Sequence, residues 1–187
     1  RNDISPGALA WVTRSIHAGV VVGDLDPALT VSEADFWNGC NAGAISLGLA
    51  RGAMEAAVQY AKERKAFNQS LADFQAIQFK IANMEMEIEI ARTYTYKAAW
   101  LKDQGRPYSK EAAIAKLYAT EMAERVIYDA IQIHGGYGYS REYPVERMYR
   151  DARLTQIFEG TNQLNRLSLI EDLQDELLFR MSPGVSA

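Results

Sequence analysis

The sequence predicts an all-α fold, an antiparallel helical bundle, on three observations. Apolar residues recur at three- and four-residue steps over long stretches, the breaks between those stretches carry Gly, Pro and Ser, and strand-type patterning is scarce beyond about residue 35. The 187 residues suffice for one domain with a genuine core. Hydrophobic residues at 48% against 24% charged residues make a globular composition rather than a disordered or fibrous one.

Residues 1–35 read as an irregular lead-in, in which GVVVG and ALTV are ambiguous short strands among Gly and Asp turns. From about Asp35 the chain turns helical. AGAISLGLARGAMEAAVQYAKERK is rich in Ala, Leu and Met and closes on cations, as a helix C-terminus favours. A loop at Asn68 and Ser70 follows. Ile77, Ile81, Met84, Ile88, Ala91, Thr95 and Ala98 then form one stripe. Inside it MEMEIEIA alternates with the period of a strand, but the same residues continue the helical stripe on both sides, so a long second helix is expected. Met86 and Ile90 lie off that stripe and imply packing on a second flank.

DQGRPYS breaks the chain, and Ser109 is placed to cap a third helix. Its stripe of Ala115, Ala119, Met122, Val126, Ala130 and Ile133 stops at Gly135 and Gly136. A Pro-initiated helix is expected from about Val145 to Phe158. A last helix from about Asn162 to Phe179 should turn Leu164, Leu167, Ile170 and Leu173 inward. The bundle domain is thus expected over 36–180, with a loose tail at 181–187. No internal repeat is present.

Several functions are excluded early. A net charge of −4 gives no basic footprint for nucleic acid. No run of about 18 apolar residues is present to span a membrane as a helix. Cys40 is the single cysteine, so no intrachain disulfide forms and a reducing compartment such as the cytosol or an organelle matrix fits. The chain opens on Arg1, which points to a processed or truncated N-terminus with any targeting peptide out of view. A di-iron bundle site needs Glu-x-x-His on two helices, and neither His17 nor His134 follows a Glu by three residues, so no metal is expected. Glu85, Glu87 and Glu89 read as solvated or subunit-contact positions.

Three segments carry candidate chemistry. In QIHGGYGYSREYPVE the glycines do not match GxGxxG and follow a helix, not a strand. They either expose main-chain N–H groups to a polar ligand or simply stop the helix. In KERKAFNQSLADFQ, Arg64 and Lys65 either complement a helix dipole or bind phosphate. In RLTQIFEGTNQLNR, Glu159 stands between an apolar run and a fresh helix start at Thr161. As a dipole partner it would contribute only about 0.3–1 kcal/mol; it can equally be a positioned base.

YAKERKAF with FQAIQFKIANM, then IQIHGGYGYSREYPVERMYRDAR, then IFEGTNQ, in this order and spacing, closely resemble the C-terminal helical domain of the flavin-dependent acyl-CoA dehydrogenases, over about residues 37–175. The resemblance implies that Glu159 removes the pro-R α-proton of an acyl-CoA thioester while the β-hydrogen passes as hydride to flavin N5. Enolate-like charge would be stabilised by N–H donors on the thioester carbonyl, one of them the glutamate's own amide. Some members carry the base on the helix before ERK, but the matching place here, near Asn38 and Gly39, holds no carboxylate.

The resemblance further implies that Phe158 and Gly160 wall the acyl site, and that Arg64 and Phe67 contact FAD at its pyrophosphate and by an aromatic face. By the same likeness Gln75, Gln132, Gly135 and Gly136 reach the adenosine end of FAD, largely across a subunit interface, and Thr161 and Gln163 hold the adenine side of the protomer's own FAD. A shared cofactor implies a homo- or hetero-oligomer, a dimer at least and a tetramer by family habit. An electron-transferring flavoprotein or similar acceptor is implied as partner, with fatty acid metabolism in a bacterial cytoplasm or mitochondrial matrix as the setting.

The family also has an N-terminal helical domain and a middle β-domain, of which residues 1–35 would be a remnant. Asn68 stands where the family commonly has Gly, and Gly39 near where many members carry an Arg that meets CoA, which leaves room for an acyl-carrier-protein substrate. The alternatives are a non-catalytic helical assembly subunit, which fold alone would allow, and an acyl-CoA oxidase.

Overall fold

The computed structural model describes residues 31–181, with side chains described over 40–174. These residues form five helices: α1 (Val31–Glu63), α2 (Gln75–Asp103), α3 (Ser109–His134), α4 (Val145–Thr155) and α5 (Asn162–Met181). A two-stranded ribbon of β1 (Lys65–Ala66) and β2 (Gln69–Ser70) joins α1 to α2, and a 3-10 turn (Gly135–Tyr139) follows α3. The bundle is antiparallel, as the sequence predicts. The strands expected at GVVVG and ALTV lie outside the described residues, except for Val31, which opens α1 well before the expected start near Asp35. Of the expected tail, Met181 closes α5 and 182–187 lie outside the described residues.

The central helix is α3, against which α1, α2, α4 and α5 all pack. The α1 contact is the largest, and small residues are the reason. Ala42, Ala44, Ala50, Ala53, Ala57 and Ala61 are fully buried, and a Cβ built on Gly43 would sit 3.7 Å from the Ala115 carbonyl oxygen. Short side chains bring the two backbones close, and larger ones fill the space beside them. Met84, Ile88, Met122, Val126 and Ile127 make the bulk of this core, each contributing about 1.5–3 kcal/mol by leaving water. The ion pairs Lys80–Asp129 and Arg125–Glu87 cross from α2 to α3 at the partly exposed rim, where such pairs are worth about 0–1 kcal/mol. Burial therefore dominates.

Both expected stripes face this core. Met84, Ile88, Ala91, Thr95 and Ala98 of α2 are buried, with Ile77 and Ile81 half-buried, and all six stripe residues of α3 are buried. MEMEIEIA is helical throughout. The loop at Asn68 and Ser70 is a tight hairpin: Lys65 pairs with Ser70 and Ala66 with Gln69, with Phe67 and Asn68 at φ of 52° and 65°. Positive φ at both central residues suits the right-handed twist of the ribbon. The Ser70 hydroxyl donates to Ala61 O at 2.8 Å, fastening the hairpin to the end of α1.

Four expectations are corrected. Ser109 does not cap α3; Tyr108 occupies the cap position and makes no side-chain cap bond. α4 ends at Thr155, because the backbone at Gln156–Phe158 leaves the helix to enter a turn. Among the described residues nothing covers Met86 and Ile90 as a second packed flank; they are 55% and 47% exposed. Leu164, Leu167, Ile170 and Leu173 face outward, 44–56% exposed, because α5 lays its polar side, Asn162 and Arg166, on α3.

Gly138 is where the turn after α3 touches the helix: an added Cβ would lie 2.7 Å from Ile131 O and 3.0 Å from Ile131 Cα. Gly138→Ala is therefore expected to destabilise the fold by about 1–3 kcal/mol. Gly136→Ala, whose Cβ would meet nothing within 4 Å, should stay within about 0.5 kcal/mol of the parent. Thermal midpoints of the two variants check the contrast.

Candidate functional site

The site is built on the turn between α4 and α5. Phe158 N donates to Leu154 O as α4 unwinds, Glu159 and Gly160 take φ of 53° and 83°, and Asn162 N donates to Gln156 O at 3.1 Å to close the loop. A non-glycine residue in the left-handed region costs about 1–2 kcal/mol, so its neighbours must hold it there. Thr161 caps α5 as the sequence indicates, its hydroxyl accepting from Leu164 N at 3.3 Å. Asn165 Nδ2 donates to Gly160 O and Thr161 O at 3.1 and 3.0 Å.

The strongest hold comes from α3. Lys116, with no exposed surface, donates through Nζ to Gly160 O and to Asn162 Oδ1, each at 2.8 Å. Asn162 Nδ2 in turn donates to Thr120 Oγ1 at 3.1 Å, and Thr120 to Leu117 O at 3.2 Å. Burial pulls the Lys116 ammonium down to about 8, with Glu159 and Glu121 opposing. Half-buried Glu159 is pushed above the usual carboxylate value of 4.5 by loss of water, against the pull of Lys116. Its Oε2 has essentially no accessible surface and no hydrogen-bond partner among the described residues. A buried, unpaired carboxylate oxygen with a raised affinity for protons can act as a general base.

A second cluster surrounds a cavity of about 480 Å³ lined by Tyr60, Arg64, His134, Gly135, Gly136 and Tyr137, among others. Tyr60 stacks on His134 at 4.4 Å, and the Arg64 guanidinium lies 5.6 Å from the centre of the Tyr137 ring. Gly135 has φ of 59°, and neither it nor Gly136 has an atom within 4 Å of where a Cβ would be. Their backbone is open to a ligand.

Thus the structure gathers Phe158, Glu159, Gly160 and Thr161 in one turn, with exposed Gln163 one residue into α5, and brings Arg64 together with Gly135 and Gly136. Phe67 is 90% exposed at the hairpin tip; Gln75 and Gln132 are exposed and outside the cavity lining. Lys116, Thr120 and Asn162 escaped the sequence reading. Lys116 had a signal in a second stripe on α3, Ala112, Lys116, Ala119, Ala123 and Ile127, which places a lysine among apolar positions. Among the described residues no group of three His, Cys, Asp or Glu side chains stands together to hold a metal, and no helix is long and apolar enough to cross a membrane.

The chain is thus an all-α bundle with a half-buried carboxylate on an inter-helix turn and a glycine-lined cavity at the end of its central helix. Residues 39–174 match the family described as acyl-CoA dehydrogenase, C-terminal domain, and the chain belongs to the acyl-CoA dehydrogenase family. It is 57% identical over 130 residues to the Bacillus subtilis (strain 168) protein named Probable acyl-CoA dehydrogenase, covering 70% of this chain and 34% of that one. It is 51% identical over 122 residues to the caffeyl-CoA reductase-Etf complex subunit of Acetobacterium woodii, covering 65% and 32%. The solved butyryl-CoA dehydrogenase of Megasphaera elsdenii superposes with a TM-score of 0.71 at 48% identity, over 73% of this chain and 36% of that one. The chain spans about a third of the length of these relatives.

The two buried charges leave opposite marks on stability. Between about 8 and 10.5 the folded chain binds fewer protons at Lys116 than the unfolded chain, so stability rises with pH there. From 4.5 up through its folded value Glu159 binds more, so stability falls as pH rises. Lys116→Met should flatten the alkaline rise, an effect on the order of 1–3 kcal/mol, and Glu159→Gln the acidic fall; urea unfolding across pH measures both.

Proposed function

We propose that this chain is the C-terminal helical domain of an FAD-dependent acyl-CoA dehydrogenase, with Glu159 as the base that takes the α-proton of an acyl-CoA thioester. The observation that carries the reading is the Glu159 Oε2 atom, buried without a partner on a residue held at φ of 53°. A thioester α-proton is weakly acidic, so a base kept from water and hydrogen bonds has the affinity to remove it. The Glu159 N–H donates to the thioester carbonyl, where negative charge develops. Phe158 and Gly160 wall the acyl group and keep water out. FAD, when bound, supplies the acceptor for the β-hydrogen, which leaves as hydride to N5.

The residues of the cavity suit that cofactor. Arg64 gives a fixed cation for the pyrophosphate, and the unobstructed backbone of Gly135 and Gly136 lets a polar group approach. Exposed Phe67, Gln75 and Gln132 contact the flavin and adenosine portions, and Thr161 and Gln163 the adenine side beyond the base. Lys116 and Gly135 lie about 28 Å apart along α3 at 1.5 Å per residue. That separation is too long for the two clusters of one chain to serve one compact ligand, and it favours a cofactor shared between subunits of a dimer or tetramer. The electrons pass on to an electron-transferring flavoprotein or similar acceptor, in the bacterial cytoplasm or the mitochondrial matrix.

In the full-length protein, flavin absorbance near one per chain is expected. Glu159→Gln should retain that flavin yet lose about 10²–10⁴-fold in the rate of acyl-CoA-dependent bleaching. Bleaching at the parent rate defeats the assignment of the base. A preparation that stays colourless with added FAD favours a helical assembly subunit instead.

A further inference from the structure

The turn that carries Glu159 has two consecutive residues at positive φ, only one of them glycine. Such a turn relaxes unless something outside it fixes both its backbone and its direction. Lys116 reaches it from a position 43 residues earlier in the chain, bonding on the far side of Glu159 to the Gly160 carbonyl and the Asn162 side chain. An ammonium has three donors, and these two bonds use two of them on groups that flank the carboxylate. A buried lysine placed solely for stability is a poor device, since burying its charge costs several kcal/mol before any contact is made. We propose that Lys116 is a positioning residue for Glu159: its ammonium clamps the 159–162 turn in the conformation that aims the carboxylate, and it is the cation the carboxylate faces. This rests on the reading of Glu159 as the base.

The surrounding charges are few. Glu159 feels Lys116, and Lys116 feels Glu159 from the turn and Glu121 from its own helix. Glu121 is engaged by Arg166 of α5 and by Asn162 Nδ2. Glu124, further along α3, is held by Gln156 and Arg153 at the end of α4. At the level of Ala115 and Ala119, α1 and α2 bring Gly43 and Thr95, which carry no charge. Among the described residues Lys116 is the cation that acts on Glu159. It opposes the desolvation that raises the carboxylate's affinity for a proton.

The test is made on the flavin-loaded full-length enzyme with Lys116→Met and Lys116→Gln. Both should keep flavin at one per chain. Lys116→Met should lower kcat by about tenfold or more with KM within about threefold, and move the acidic limb of kcat/KM to higher pH. Lys116→Gln, which keeps an amide NH2 without the charge, should recover part of kcat and none of the limb. A purely structural lysine would lower the amount of folded protein and leave the limb where it is. Should either variant load flavin and match the parent in kcat and limb, the proposal is wrong, and if Glu159→Gln is still inactive the base assignment stands without it. Should neither variant fold, Glu159→Gln decides: the alkaline rise in stability must begin at lower pH than in the parent, because the anion facing Lys116 is gone. An unchanged onset overturns the proposal.

Discussion

The close approach of α1 to α3 is the contact on which the other elements depend. Six fully buried alanines on α1 and a glycine opposite the Ala115 carbonyl bring the two backbones together. α3 is then fixed on one side and free to receive α2, α4 and α5 on the others. Both candidate clusters are rooted in it, Lys116 near its start and Gly135 just past its end. A bulky residue at Ala53 or Ala57 would spread the bundle and shift both clusters at once.

Two opposed charges at the start of α3 show how the site balances its energetics. Glu159 is buried enough to disfavour its anion, and Lys116 is buried enough to disfavour its cation, yet each eases the burden of the other. The lysine spends two of its donors on the backbone and amide around the acid. That leaves a carboxylate oxygen unengaged. A direct salt bridge would occupy the lone pairs that a base needs.

Much of the bundle was legible because helical periodicity reports burial directly. The stripes of α2 and α3 name their core residues, and the glycine pair names where α3 ends. The leucines of α5 mark the limit of that signal. Periodicity says that one side of a helix is apolar and nothing about what lies against it, so Leu164 and Leu167 were expected inward and stand outward. Glu159 was legible as a candidate from its neighbours in the chain, since a turn and a cap are local. Lys116 was not, because its meaning depends on contacts 44 and 46 residues away. Ser109 misled for a related reason: its type suits a cap, but backbone geometry put Tyr108 there.

The hairpin after α1 has a consequence for binding. Its turn is two residues long, both in the left-handed region, and its base is tied to α1 through Ser70. An aromatic ring displayed at 90% exposure on such a short, anchored loop has little backbone freedom left to surrender. When a surface closes over Phe67, the ordering penalty is confined to the ring's own rotamers, about 0.5–1.5 kcal/mol. The loop itself then subtracts little from the free energy of dehydrating that ring.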